Sequence, residues 1–283
     1  MSEPVTAAKC GALLDALRVK KPLVHFITNY VTVNDCANIT LAVGGAPVMS
    51  DQPDDAAEIC RLASALVFNI GTPGDRTLEA MLRAGKAANE AGIPVVLDPV
   101  GAGASSFRNR LLEKLLEEVK FAAVKGNISE IRFLASGTGK SMGVDASKDD
   151  IALGSDSCAV ARLAAGLSRG IGAVVIVSGR IDVAADGERA YGISNGDAMM
   201  GRLTGTGCMG SGVVASFLGA APGEPLASAI AGMCVMGLAG ELAREKLAPS
   251  SGTGTYRTLL MDEVSCMTGS VLEKGVRLGQ IVL

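Results

Sequence analysis

Short apolar runs of three to six residues recur along the chain at 23–27, 46–49, 65–70, 94–97, 122–124 and 173–177, with longer helix-like stretches between them. Runs this short and this apolar suit strands buried on both faces, and their alternation with helices predicts a mostly parallel sheet covered on each side. The pattern places helices over 54–64, 75–91, 109–118 and 149–169. After Val177 the grammar changes. Residues 180–185 and 188–193, separated by Asp186-Gly187, read as a β-hairpin with favoured turn chemistry. Beyond Cys208 the periodicity predicts three helices, over 206–218, 225–247 and 255–273, and a tail at 276–283 that returns as a strand. The polar, glycine-containing stretch 136–148 reads as a mobile loop. No repeat, linker or low-complexity segment divides the chain, so residues 1–283 are expected to form one domain.

Composition narrows the class. With no tryptophan, 3% aromatic residues and 36 glycines in 283, packing must rely on Ala, Val, Leu and close backbone approach. The formal charge of -3 and the lack of a long basic run leave no nucleic-acid or anionic-membrane surface on show. Seven scattered cysteines without a CxxC pair argue for reduced thiols and a cytoplasmic location. His25 is the one histidine, which excludes a multi-histidine metal site and makes it the necessary partner of any Ser-His or Cys-His couple. The first twenty residues mix Glu3, Lys9, Asp15, Arg18 and Lys20 with short apolar pieces, so no secretory leader is expected. Two uncharged stretches, 203–223 and 225–240, read as core helices. The first is broken by Gly, Thr and Ser, and the second falls short of the roughly 20 apolar residues of a membrane span.

Candidate chemistry gathers where strands end, which is where open α/β sheets bind ligands. Asp98 follows an apolar strand and precedes Pro99-Val100-Gly101-Ala102-Gly103, either as a carboxylate facing a divalent cation near phosphates or as a helix-capping acid. Lys125-Gly126-Asn127 with Glu130 repeats the layout, fitting both a phosphate-facing lysine with an acid beside metal-bound water and a plain Asn127/Glu130 capping box. His25, Asn29 and Asn34 leave the first strand, Asn69-Ile70-Gly71-Thr72 the third run, and Ser178 the sixth. Gly205-Thr206-Gly207-Cys208-Met209-Gly210 is a glycine-rich turn opening an apolar helix, where free backbone amides and the helix dipole favour an anion. The same place lowers a cysteine pKa, making Cys208 a candidate base or nucleophile; a buried, inert thiol is the other reading.

In this order, His25-Phe-Ile-Thr-Asn29, Ala46-Pro-Val-Met49, Asn69-Ile-Gly-Thr72, Leu97-Asp-Pro-Val-Gly-Ala-Gly103, Gly126-Asn127 with Glu130, and Gly205-Thr-Gly-Cys-Met209 resemble the hydroxyethylthiazole kinase family of the ribokinase-like superfamily. The resemblance implies a three-layer α/β/α sandwich with a mostly parallel central sheet. It implies transfer of the ATP γ-phosphate, with Mg²⁺, to the primary hydroxyl of 4-methyl-5-(2-hydroxyethyl)thiazole, a step of thiamine biosynthesis. On the same basis Cys208 stands where ribokinase relatives carry an aspartate base, and the amides of residues 205–208 form an anion hole. Gly205, Met49, Asn29 and Val31, the last through its backbone, match substrate-pocket positions. Asp98 and Glu130 match the acids associated with Mg²⁺, and Lys125, Asn127, Ser178 and Gly207 fall at nucleotide positions. A homotrimer with its pockets between subunits is implied as well. Two residues depart from the family pattern: Lys125 stands where Arg is common and loses the bidentate fork, and Ser178 stands for Thr and keeps the hydroxyl. The alternatives are a ribokinase-like kinase of another hydroxylated heterocycle, such as a pyrimidine alcohol, and a non-catalytic nucleotide-binding protein. A Rossmann dehydrogenase is disfavoured, because the glycine-rich turn comes late, after the hairpin, rather than after the first strand.

Overall fold

Where short runs are rich in Val, Leu and Ile, at 24–27, 65–68, 95–97 and 174–177, the chain is extended and shielded on both faces, as parallel strands under helices must be. The computed structural model describes residues 3–136 and 156–283. Its elements begin with α1 (Ala7–Lys20), β1 (Leu23–Ile27), α2 (Val33–Val43), β2 (Ala46–Met49), α3 (Pro53–Cys60), β3 (Ala65–Asn69), α4 (Asp75–Ala91), β4 (Val95–Asp98), α5 (Ser106–Glu118), β5 (Ala123–Asn127) and α6 (Ile128–Ser136). They continue with α7 (Ser157–Ile171), β6 (Val174–Ser178), β7 (Asp182–Ala185), β8 (Ala190–Ile193), a 3-10 turn (Ala198–Arg202), α8 (Thr206–Ala220), α9 (Pro225–Lys246), α10 (Thr253–Cys266), α11 (Gly269–Gly275) and β9 (Leu278–Ile281).

The nine strands among the described residues join one sheet in the order β2-β1-β3-β4-β5-β6-β7-β8-β9. The first six in that order are parallel, and β7, β8 and β9 add an antiparallel edge. Because side chains alternate along a strand, Val24, Phe26, Val67, Val96 and Ile176 enter a core closed by α1, α2, α8, α9, α10 and α11. Ile27, Leu66, Phe68, Leu97 and Val175 enter a second core under α3 to α7. The result is the three-layer α/β/α sandwich. Register then sets the functional edge: Asn69 lies level with Asp98, and Asn127 with Ser178, at the carboxyl ends of their strands.

Three expectations from the sequence need correction or fall outside the described residues. The hairpin turns at Gly187-Glu188, one residue later than read, because Asp186 N–H pairs with Arg189 O at 3.1 Å and only Gly187 takes positive φ, at 91°. Asp186 Oδ1 also accepts the Arg189 amide at 2.8 Å, which fixes that register. The single helix expected over 255–273 is two, α10 and α11. Thr268 Oγ1 accepts from Val271 N at 3.2 Å and starts the second, and Asp15 Oδ1 on α1 accepts the Gly269 amide at 2.9 Å. Of the loop expected at 136–148, Ser136 closes α6 and the rest lies outside the described residues, as do the first residues of the helix expected at 149–169.

The two uncharged stretches are core helices, α8 and α9. Only α9 among the described residues is long and apolar enough to cross a membrane by length and composition, and 89% of its apolar window is buried inside the protein.

Candidate active site

Five strand ends and the start of α8 converge on one polar cluster. Asn29 leaves β1 fully buried and folds its side chain back, so that its Oδ1 accepts from Thr32 N at 3.0 Å and from Thr32 Oγ1 at 3.1 Å. Its amide nitrogen must therefore point the other way. It donates to Asn69 Oδ1 at 2.9 Å and to Cys208 Sγ at 3.5 Å. Asn69, the last residue of β3, is locked in the same fashion, because its Oδ1 takes the Gly71 amide at 2.9 Å. Its Nδ2 then donates to Cys208 Sγ at 3.2 Å and to Asp98 Oδ2 at 2.8 Å. Since a backbone N–H can only donate, both amide orientations follow from the network.

Asp98 is buried, and both of its bonds fall on one oxygen: Oδ2 also accepts from Ser211 Oγ at 2.9 Å. Its Oδ1 has no donor among the described residues, and it is the atom left for a cation or a substrate hydroxyl. Burial pushes the carboxyl up, while the Lys125 ammonium, Ser211 and Asn69 pull it back. Burial and the Asp98 charge together push the Cys208 thiol up as well, outweighing its two amide donors. This reverses the expectation that the helix start would lower that thiol. The desolvation of a half-buried sulfur beside a carboxylate is the stronger effect here.

Gly205 caps α8 with φ at 90°, and a Cβ there would stand 2.7 Å from Thr32 Cγ2. Only glycine fits this approach. Because Gly205 brings no side-chain cap, the amides of Thr206, Gly207 and Cys208 in the first turn stay available. Lys125, buried on β5, donates to Gly207 O at 2.9 Å, so its ammonium is anchored to the same turn. Glu130 is held between two backbone amides, Oε1 by Gly101 N at 3.0 Å and Oε2 by Asn127 N at 2.8 Å. Asn127 Oδ1 answers by accepting from Glu130 N at 3.0 Å, which makes the capping box read in the sequence a physical fact. Burial, first of all, raises the Glu130 carboxyl, and Asp98 adds to it.

Beside this cluster a cavity of about 490 Å³ runs between α8, α9 and the segment after β8. Lys125, Ser178 and Gly207 line it; Asn127 does not, and its side chain is exposed and committed to its cap. Met49, at the end of the outer strand β2, packs partly buried against the α8 side of the sheet. Val31, in the turn before α2, is 59% exposed and the adjacent Tyr30 is 79% exposed.

Magnesium usually keeps several waters and takes one or two protein carboxylates beside substrate phosphates. Among the described residues no three Asp, Glu, His or Cys side chains group to form an all-protein cage. Asp98 with its donor-free Oδ1, and Glu130 beyond it, fit that sparse type of site.

Two residues of the cluster escaped the sequence-derived set. Asn69 was marked by its polar strand end but had no assigned part, and Ser211 looked like one small residue in an apolar helix. Arg108 was missed altogether: its guanidinium donates to Ile70 O, to Val100 O at 2.8 Å and to Gly71 O at 2.9 Å, clamping the loops after β3 and β4 together.

Layers, strand order and a ligand edge at a helix start define a ribokinase-like fold. A solved ribokinase-like superfamily protein from Enterococcus faecalis shares it at a TM-score of 0.56 and 10% identity, covering 94% of this chain and 92% of that one. Residues 14–270 match the hydroxyethylthiazole kinase family, and the chain belongs to it. A hydroxyethylthiazole kinase of Ruminiclostridium cellulolyticum is 47% identical over 269 residues, 95% of this chain and 96% of that one. The solved hydroxyethylthiazole kinase protein from Pyrococcus horikoshii OT3 matches at a TM-score of 0.83 and 32% identity, covering 96% of this chain and 99% of that one.

Proposed function

We propose that this protein transfers the γ-phosphate of ATP to the primary hydroxyl of 4-methyl-5-(2-hydroxyethyl)thiazole, releasing ADP and the thiazole phosphate for thiamine synthesis. The observation that carries the reading is the Asn29–Asn69–Asp98 hydrogen-bond chain. It fixes Cys208 Sγ and Asp98 Oδ1 beside the free amides of α8, next to the Lys125 cavity.

In this reading the thiazole lies against Met49, Asn29, the Val31 backbone and Gly205, with its hydroxyl toward Cys208. ATP occupies the 490 Å³ cavity, contacting Ser178 and Gly207, with Lys125 at its phosphates and Asn127 shaping the loop nearby. Phosphoryl transfer needs mainly positioning and charge stabilisation on the equatorial oxygens, which the first-turn amides and Lys125 provide. Burial and the Asp98 charge keep Cys208 a thiol at pH 7, so it acts as an auxiliary base only through its small thiolate fraction, and the hydroxyl proton otherwise leaves with the transferred phosphoryl oxygens. Asp98 Oδ1 and Glu130 are the residues that would hold Mg²⁺, which when bound neutralises phosphate charge. The exposed Val31 and Tyr30 beside the thiazole position support a homotrimer whose neighbouring subunit closes the pocket. Seven free cysteines suit a reducing cytosol as its place of work.

Incubation of the protein with ATP, Mg²⁺ and either the thiazole alcohol or a hydroxymethyl pyrimidine, followed by phosphorus NMR, tests the substrate assignment. The thiazole phosphate ester is expected as the main product. Preferential phosphorylation of the pyrimidine would move the protein to another alcohol.

A further inference from the structure

The proposed nucleotide cavity contains a carboxylate to which nothing above gives a part. Asp182 opens β7, paired with Ile193 on β8, and lines the cavity. Its Oδ1 accepts from Gly179 N at 2.9 Å, and no other donor among the described residues reaches either oxygen. Asp182 is half-buried, so the oxygen left without a protein donor opens onto the cavity and can accept from a ligand seated there. Its electrostatic state fits that position: burial raises the carboxyl to about 6, with the Gly179 amide and the Lys125 ammonium pulling the other way.

Position within the cavity says which part of a nucleotide meets it. Lys125, Thr206 and Gly207 form the end nearest the α8 amides, which suits phosphates. Met200, Met233 and Met236 add thioethers to the lining, a surface that suits the flat face of a base. Gly179, whose amide donates to Asp182, follows directly on β6, the neighbour of the strand β5 that carries Lys125, so Asp182 lies beside the phosphate end. An anion there would repel a phosphate. A pair of hydroxyls in the link between phosphate and base is the group it can satisfy, and acid-to-ribose bonding is a recurrent way to hold a nucleotide.

We infer that Asp182 is the ribose-binding residue of this cavity, its unpartnered carboxylate oxygen accepting from the ribose hydroxyls of the nucleoside triphosphate. The inference rests on the nucleotide occupying this cavity, and the test separates the two ideas. Michaelis constants are measured for ATP, 2′-deoxy-ATP, 3′-deoxy-ATP and inosine triphosphate with the wild type, Asp182→Ala, Asp182→Asn and Lys125→Ala. Asp182→Asn keeps an acceptor for Gly179 and guards against misfolding in the alanine variant. The wild type is expected to bind at least one deoxy nucleotide roughly tenfold more weakly than ATP, as befits a lost hydrogen bond to a charged group. Both Asp182 variants are expected to lose most of that discrimination. If discrimination persists in them while Lys125→Ala still weakens ATP, Asp182 does not hold the ribose, although the cavity takes the nucleotide. If Asp182 variants lose discrimination against inosine triphosphate instead, the contact is with the base amine and the ribose assignment is wrong. If neither Asp182 nor Lys125 variants change ATP affinity, the nucleotide lies elsewhere and both ideas fall.

Discussion

The Cys208 thiol receives two amide N–H donors and still titrates above the usual cysteine range, because its burial and the Asp98 carboxylate outweigh them. At pH 7 it therefore carries its proton; only its small thiolate fraction can take the hydroxyl proton, and the rest of its value to the reaction lies in holding the substrate hydroxyl in place rather than in nucleophilic power. Cys208→Ala is expected to lower kcat by about 10²-fold, the low end of what general-base catalysis supplies, with the KM for ATP little changed. A variant as fast as wild type would remove Cys208 from the mechanism. The charge state has its own check. Alkylation of the peptide containing Cys208, followed by mass spectrometry against pH, should stay slow through neutrality and rise only above about pH 9, the ordinary thiol range. Fast labelling at pH 7 would show a lowered thiol. None of this was legible from the residue types. A cysteine after a glycine turn signals a helix start, whereas its pKa depends on Asp98, 110 positions away in the chain, and on a burial that only packing creates.

At the scale of elements, the turn before α8 is the piece on which the site depends. Gly205 needs both positive φ and a missing Cβ, since Thr32 of the segment before α2 fills the space. Gly205→Ala is expected to cost about 2 kcal/mol, from left-handed strain and overlap. It should lower the melting temperature by about 4–8 °C and depress kcat as the first-turn amides shift. Gly254→Ala on α10, where a Cβ would meet nothing within 4 Å, should be neutral or slightly stabilising, and equal losses in both variants would contradict the steric account. Such a turn is readable from sequence because glycines and a following apolar helix mark it directly. The strands were readable for the same reason: β1 and the cores of β3 to β6 are Val- and Leu-rich runs that suit a covered sheet, whereas the half-buried edge strand β2, Ala46–Met49, is marked only by being short and apolar. The break between α10 and α11 was not. Apolar spacing continues through Met267-Thr268, and the stop is set by Thr268 and by Asp15 on a distant helix. Asp182 was likewise read only as a hairpin strand residue, since its cavity is closed by α9 and by the segment after β8.

For the whole molecule, two cores on opposite faces of one sheet hold the strand ends rigidly level, so side chains from six distant segments meet within hydrogen-bonding distance. That rigidity serves a reaction dominated by positioning. Beyond the chain itself, the exposed Tyr30 and Val31 beside the proposed thiazole position suit a covering subunit. Light scattering is expected to give three times the 28.7 kDa chain mass, and a stable, fully active monomer would leave those side chains unexplained. The central claim is that this edge of the sheet joins ATP to a thiazole alcohol, and ADP release in a coupled assay with Mg²⁺ tests it most directly. Steady ADP release is expected only when 4-methyl-5-(2-hydroxyethyl)thiazole is present, falling strongly in Asp98→Ala; release that is independent of the thiazole alcohol, or none at all in its presence, would contradict the account.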